Sequence, residues 1–167
     1  MQKAWILRYG ELGLKSRVVR RQFQRGLANN LEKLAIQYGV SLFQDRILSL
    51  EVITSNSAPS EVENLLSHVF GVVAIDPAML ISEEINPETV AKLILEKDDH
   101  RGKKRSFGVR TKRLGPKGEY KSQEYSAQIG HFMVDNDESL SVNLREPDNW
   151  VKLILEPDRV WLLDVRI

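Results

Sequence analysis

The chain has no cysteine among its 167 residues. Disulfides, thiolate metal sites, cysteine nucleophiles and persulfide carriers are thereby excluded within it, and a reducing compartment fits. It has three histidines, His68, His100 and His131, far apart and without metal-ligand spacing. No metal site and no cofactor are expected, since there is also no glycine-rich phosphate loop of the P-loop or dinucleotide-binding kind; Gly10-Glu11-Leu12-Gly13 has two glycines but not the rest of either pattern. No apolar run approaches the roughly 18 residues of a membrane span, so no membrane contact is expected. The start, Met1-Gln2-Lys3-Ala4-Trp5, runs at once into Arg8 and Glu11, unlike a signal peptide. These features together predict a cytoplasmic protein. Acidic pairs such as Glu83-Glu84 and Asp98-Asp99 sit at expected element ends, where solvated charge is the ordinary role. Nothing in this inventory supports catalysis.

Apolar residues make up 42% and charged residues 28%, which predicts a packed core. The net charge is only +1, but the charge is sorted. Residues 1–30 carry seven basic side chains and one acidic; residues 31–100 carry four and twelve; residues 101–121 carry nine and one; residues 122–167 carry four and nine. A polyanion responds to local potential rather than to the total, so the two basic blocks are the places to look for a partner.

The pattern of hydrophobic residues divides the chain in two. Lys3–Tyr9 reads as a strand. From Arg17 to about Tyr38 the period becomes helical, with Val19, Phe23, Leu27, Leu31, Leu34 and Tyr38 on one stripe and Gly39 as the terminating residue. Leu42–Arg46 and Ile47–Ile53 read as a hairpin turning near Asp45-Arg46. Pro59 suits the first position of a helix carrying Val62, Leu65, Leu66 and Val69, which Gly71 would end. An extended run then spans Val72–Ile75 and continues past Pro77 to Ile81. The order β-α-β-β-α-β predicts a ferredoxin-like domain over residues 1–80.

A second domain is expected over residues 81–167. Asn86-Pro87-Glu88 has the residues of a helix start, followed by Val90, Leu93 and Ile94 facing the core. Ser106–Lys112 alternates as a strand, Leu114–Tyr120 is a loop, and Ser122–Val134 is a helix with Tyr125, Ile129, Phe132 and Met133 inward. Leu140–Leu144, Val151–Glu156 and Val160–Val165 complete it as strands, with Pro157-Asp158 turning the last hairpin. The fold class is α+β: a ferredoxin-like domain followed by an α/β domain.

Two cationic groups emerge. Arg17, Arg21 and Arg25 are four residues apart on one helix face, with Arg20 beside them and Arg8 and Lys15 ahead of them. In the second block, Lys103-Lys104-Arg105 leads into a strand, Arg110 and Lys112 share a strand face, and Arg113, Lys117 and Lys121 follow. Gly115-Pro116 and Gly118 would let backbone approach a phosphate, and the helix start near Ser122 adds unpaired N–H groups. This spacing predicts nucleic-acid binding. Tyr9, Tyr120 and Trp150 are expected to pack rather than to stack on bases.

Arg8-Tyr9-Gly10-Glu11-Leu12-Gly13-Leu14-Lys15-Ser16, followed by Arg20, Phe23 and Asn30, resembles the opening of the tRNA 4-thiouridine synthase family. Phe107–Arg113 resembles the F-x-VR-x-KR strand of that family's THUMP domain, Ser122–Gly130 the helix after it, and Asn143–Asp148 with Val151–Glu156 its closing segment. The resemblance covers essentially the whole chain. It implies a ferredoxin-like domain plus a THUMP domain and a tRNA partner, gripped at the acceptor stem and 3′ end so that uridine 8 reaches a catalytic domain. Arg110, Lys112 and Arg113 inherit the RNA-contact role most directly. The family's SGG-x-DS adenylation loop is absent from these residues, so the resemblance implies the RNA-binding part of a stand-alone protein or of a longer enzyme, with chemistry supplied by a separate or missing domain. The contrasting expectation is a ferredoxin-like regulatory or metabolite-binding protein that ignores RNA.

Overall fold

The computed structural model describes residues 3–9, 16–47, 50–69, 72–114 and 118–163. The chain divides into two units, one through Pro77 and one from Ala78 onward. In the first, β1 (Lys3–Tyr9), α1 (Arg17–Tyr38), β2 (Phe43–Ile47), β3 (Leu50–Thr54), α2 (Pro59–Leu66) and the first half of β4 (Val72–Ser82) follow in that order. The strands lie in the order β2-β3-β1-β4. This is the ferredoxin-like arrangement expected from the sequence.

Local chemistry explains the helix ends. The Ser16 hydroxyl accepts from the Val19 N–H at 3.1 Å, satisfying one donor that the first helical turn leaves open. Gly39 takes a left-handed φ of 66°, and the following Val40 N–H returns to the Ala35 carbonyl at 2.9 Å. Within the stripe, Leu27 and Leu31 are buried with Trp5, Leu7, Ile53, Val62, Leu65 and Leu66. Its two ends, Val19 and Tyr38, are instead exposed. The 22-residue helix is about 33 Å long, whereas β1, β2 and β3, of five to seven residues, span about 17–23 Å, too short to cover both ends of the stripe.

The hairpin turn is displaced from its expected place. Asp45 pairs with Val52 and Arg46 with Glu51 inside the ladder, which continues to Ile47↔Leu50. β2 is a sheet edge in this unit, and edges accept charged residues that elsewhere signal a turn. Helix α2 starts at Pro59 as expected but ends at Leu66, with Ser67 as its cap; Gly71 lies outside the described residues.

The second unit contains the rest of β4, then α3 (Pro87–Glu96), β5 (Arg105–Arg113), α4 (Ser122–Asn136), β6 (Leu140–Val142), β7 (Asn149–Leu155) and β8 (Val160–Leu163), with strand order β4-β8-β7-β5-β6. Asn86 caps α3 by accepting from Glu88 and Thr89 N–H groups at 3.0 and 3.2 Å, with Pro87 at the first position. β5 runs parallel to both β6 and β7, and β8 runs antiparallel to β7 and β4. The β7–β8 turn at Pro157-Asp158 is closed by Glu156, whose backbone N–H donates to Arg159 and whose carboxylate accepts from Trp161 Nε1 at 2.6 Å.

The core of this unit fills one face of the sheet. Val90, Ala91, Ile94 and Leu95 of α3 and Tyr125, Ile129 and Met133 of α4 cover Phe107, Val109, Val151, Leu153 and Leu155. The Tyr125 hydroxyl donates to the Ile85 carbonyl at 2.9 Å, and burial raises its pKa. Strand alternation then sends Gly108, Arg110 and Lys112 of β5 to the opposite face.

Among the described residues, no helix is long and apolar enough to cross a membrane.

Candidate nucleic-acid interface

Parallel pairing of β5 with β7 assembles the cationic face. The register sets Gly108 beside Trp150, Arg110 beside Lys152 and Lys112 beside Ile154. Arg110, Lys112 and Lys152 are all exposed. The Arg110 guanidinium lies over the Trp150 ring, 3.9 Å from its centroid. Among the described residues, no carboxylate pairs with any of these three cations. Their charge is therefore open to an anion from outside.

Gly108 makes this arrangement possible. It is buried beneath the half-buried indole of Trp150, and a Cβ at this position would overlap Trp150 Cζ3 and Cε3. The Gly108→Ala substitution is expected to displace the ring and to cost about 1–3 kcal/mol, the usual range for overpacking. Urea unfolding would measure the cost, and a change in tryptophan emission the displacement. An unchanged stability and spectrum would contradict this packing.

The other cations of the second block are placed differently. Lys103 and Lys104 are exposed in the segment before β5, and Lys121 is exposed at the N-cap of α4. Arg113 falls on the helix-covered side, where its guanidinium donates to the Tyr120 carbonyl at 3.2 Å. Lys117, with Gly115 and Pro116 of the expected phosphate cradle, lies outside the described residues.

Arg105 requires a correction. Its side chain is only 11% exposed, and its guanidinium pairs with Asp98 and, at 3.2 Å, with Asp137. It also donates to the Lys103 carbonyl at 2.8 Å. Arg105 is an internal tie between the α3–β5 segment and the end of α4, and both of its terminal nitrogens are already engaged. Asp137 is the centre of that tie. Its carboxylate accepts from Ser139 through hydroxyl and backbone and from the Gly102 N–H at 3.1 Å. Hydrogen bonds from the Ser139 hydroxyl first, then from Gly102 and Arg105, outweigh burial and push its pKa down to about 2 from an ordinary 3.8.

In the first unit, Arg21 and Arg25 are exposed one turn apart on α1. Arg17 and Arg20 lie on the same helix and Arg8 on β1, with their side chains outside the described residues, as is Lys15 entirely.

Two contributors were missed from sequence. Lys152 stands alone in its strand, and only the non-local β5–β7 register brings it beside Arg110. Trp150 was expected to pack, and it does so against Gly108, but one face of its ring carries Arg110. Tyr120 packs edge-on against Tyr125 at 5.2 Å. His68 and His131 make surface contacts, to the Asn64 carbonyl at 2.7 Å and to Asp135 at 3.2 Å.

The chain thus joins a ferredoxin-like unit to a helix-backed sheet whose other face carries exposed cations. Comparison with known proteins places it in the class of THUMP-containing proteins. The ThiI ferredoxin-like domain matches residues 4–75, and the THUMP domain matches residues 88–163. A probable tRNA sulfurtransferase of Thermococcus kodakarensis is 33% identical over 146 residues, covering 86% of this chain and 38% of that protein. A probable tRNA sulfurtransferase of Lactobacillus acidophilus is 27% identical over 157 residues, covering 94% and 38%. Among solved structures, PH1313 from Pyrococcus horikoshii Ot3 superposes with a TM-score of 0.76 at 26% identity, over 99% of this chain and 54% of that one. The fold is also that of a 4-thiouridine synthetase solved with RNA and ATP, with a TM-score of 0.67 at 23% identity, over 100% of this chain and 42% of that one. The chain belongs to the family formed by the N-terminal ferredoxin-like and THUMP region of tRNA sulfurtransferases. It spans about 38% of the length of the curated relatives named here.

Proposed function

We propose that this chain is a tRNA-binding module that holds the acceptor stem and 3′ end and presents the tRNA for modification, with 4-thiouridine at position 8 as the product. The carrying observation is the face of β5 and β7 opposite α3 and α4, where Arg110, Lys112 and Lys152 stand exposed and, among the described residues, without carboxylate partners. Three open cations within two adjacent strands suit the phosphates of one RNA backbone. Lys103, Lys104 and Lys121 extend the potential around them, and Lys117 and Arg113 belong to the same basic block. Arg105 takes no part. Residues 1–80 act as the ferredoxin-like domain and residues 81–167 as the THUMP domain. Uridine activation and sulfur transfer take place on a catalytic domain outside these residues, in the cytoplasm, and this module uses no cofactor.

Recognition is expected to rest on shape, phosphates and 2′-hydroxyls rather than on base edges in the duplex. A competition titration tests the region bound. An acceptor-stem minihelix with its 3′ end should displace whole tRNA, and an anticodon stem-loop should not. Equal competition by both would refute acceptor-end recognition.

Arg21 and Arg25, with Arg17 beside them, form a secondary contact in this reading. Replacing Arg21 and Arg25 by glutamine is expected to weaken binding about threefold to tenfold and to lower the steepness of its salt dependence by about one to two. An unchanged salt dependence would reduce this face to solvated surface.

A further inference from the structure

We infer that Trp150 is a positioning residue of the RNA site: it holds the Arg110 guanidinium flat and aimed outward for a phosphate, with Lys152 as a second phosphate contact beside it. This deepens the proposed tRNA-binding reading and rests on it. An exposed arginine ordinarily samples many rotamers, and binding must restrict them. Here the guanidinium lies 3.9 Å from the indole centroid. A planar cation over an aromatic face is attracted by the ring's quadrupole. Stacking uses the face of the guanidinium and leaves its N–H fork free for bidentate bonds to phosphate oxygens. Gly108 lets the indole lie against β5, since a side chain there would overlap the ring. Register completes the site by setting Lys152 directly beside Arg110. Binding would then find one cation already oriented, and among the described residues no carboxylate pairs with either.

A double-mutant cycle on the full chain, read as tRNA affinity by fluorescence anisotropy, separates this role from others. Trp150→Leu is expected to weaken binding about fivefold in the native background and to have no further effect once Arg110→Ala is present. Trp150→Phe should retain most of the affinity, because a flat aromatic face remains. Arg110→Lys should lose part of the affinity but keep the salt dependence, because a lysine keeps the charge without the fork. Lys152→Ala should weaken binding in both backgrounds and lower the salt dependence by about one. If Trp150→Leu costs the same with and without Arg110, the ring acts on RNA independently and the positioning role is wrong. If Arg110→Ala weakens binding but Trp150→Leu does not, this inference fails while the tRNA-binding reading stands. If native protein binds no tRNA, that underlying reading fails. Thermal unfolding of each variant identifies any loss that comes from misfolding, and Trp150→Phe, the gentler change, then decides the matter by keeping its affinity or not.

Discussion

Replacing Arg110 and Lys112 together by alanine is expected to weaken tRNA binding roughly 50-fold, with a loss of thermal stability of no more than about a few degrees. Both side chains are exposed on the face of β5 opposite α3 and α4, so removing them opens no cavity. Arg110 gives up its contact with Trp150, worth about 0.5–1 kcal/mol at an exposed site, and Lys112 gives up no ion pair among the described residues. The effect on RNA is larger, because each lost phosphate contact also ends the release of a condensed counterion. The double variant should therefore show a salt dependence shallower by about two, in addition to lower affinity at any one salt concentration. Unchanged affinity would mean that RNA does not bind at this face. Lower affinity with an unchanged salt dependence would mean that the two residues act on something other than phosphates.

The second large effect is on stability. Asp137→Ala is expected to destabilise the protein by about 2–3 kcal/mol, lowering the melting temperature of the second unit by about 10 °C. The substitution leaves the Ser139 and Gly102 donors without their acceptor and removes one of the two carboxylates facing the nearly buried Arg105 guanidinium. Arg105 retains Asp98, which keeps the cost below that of stranding a buried charge altogether. The pH dependence carries a sign. The folded-state pKa of about 2 lies below the ordinary 3.8, so the carboxylate contributes its full stability above about pH 4. That contribution fades as the pH falls toward 2. The stability gap between native protein and Asp137→Asn should accordingly narrow from about pH 4 downward and lose most of its size near pH 2. A gap that stays constant across this range would assign the loss to packing rather than to charge.

The elements that the sequence revealed are those with local causes. The 3.6-residue stripe of α1, its glycine end and the Asn86-Pro87 start of α3 depend on neighbours within four residues, and each stands where the pattern put it. The hairpin turn was misread because Asp and Arg are turn residues by preference, while an open sheet edge tolerates them equally well. The cationic site was partly legible for the same reason. Arg110 and Lys112 are two apart in one strand, so their common face follows from strand geometry. Arg113, one residue further on, follows the same alternation to the other side. Arg105 could not be resolved from its run of three basic residues. Its partners Asp98 and Asp137 lie 7 and 32 residues away and meet it only once α3, β5 and α4 have packed. Lys152 and Trp150 were illegible because the parallel pairing of β5 with β7 crosses α4 and β6 in sequence.

The most direct test of the central claim is the affinity of the native chain for whole tRNA at about 50 mM and about 200 mM monovalent salt. Tight binding at the lower concentration that weakens by at least tenfold at the higher one is the expected result, as several phosphate contacts require. No binding at low salt, or binding that salt leaves unchanged, would contradict it.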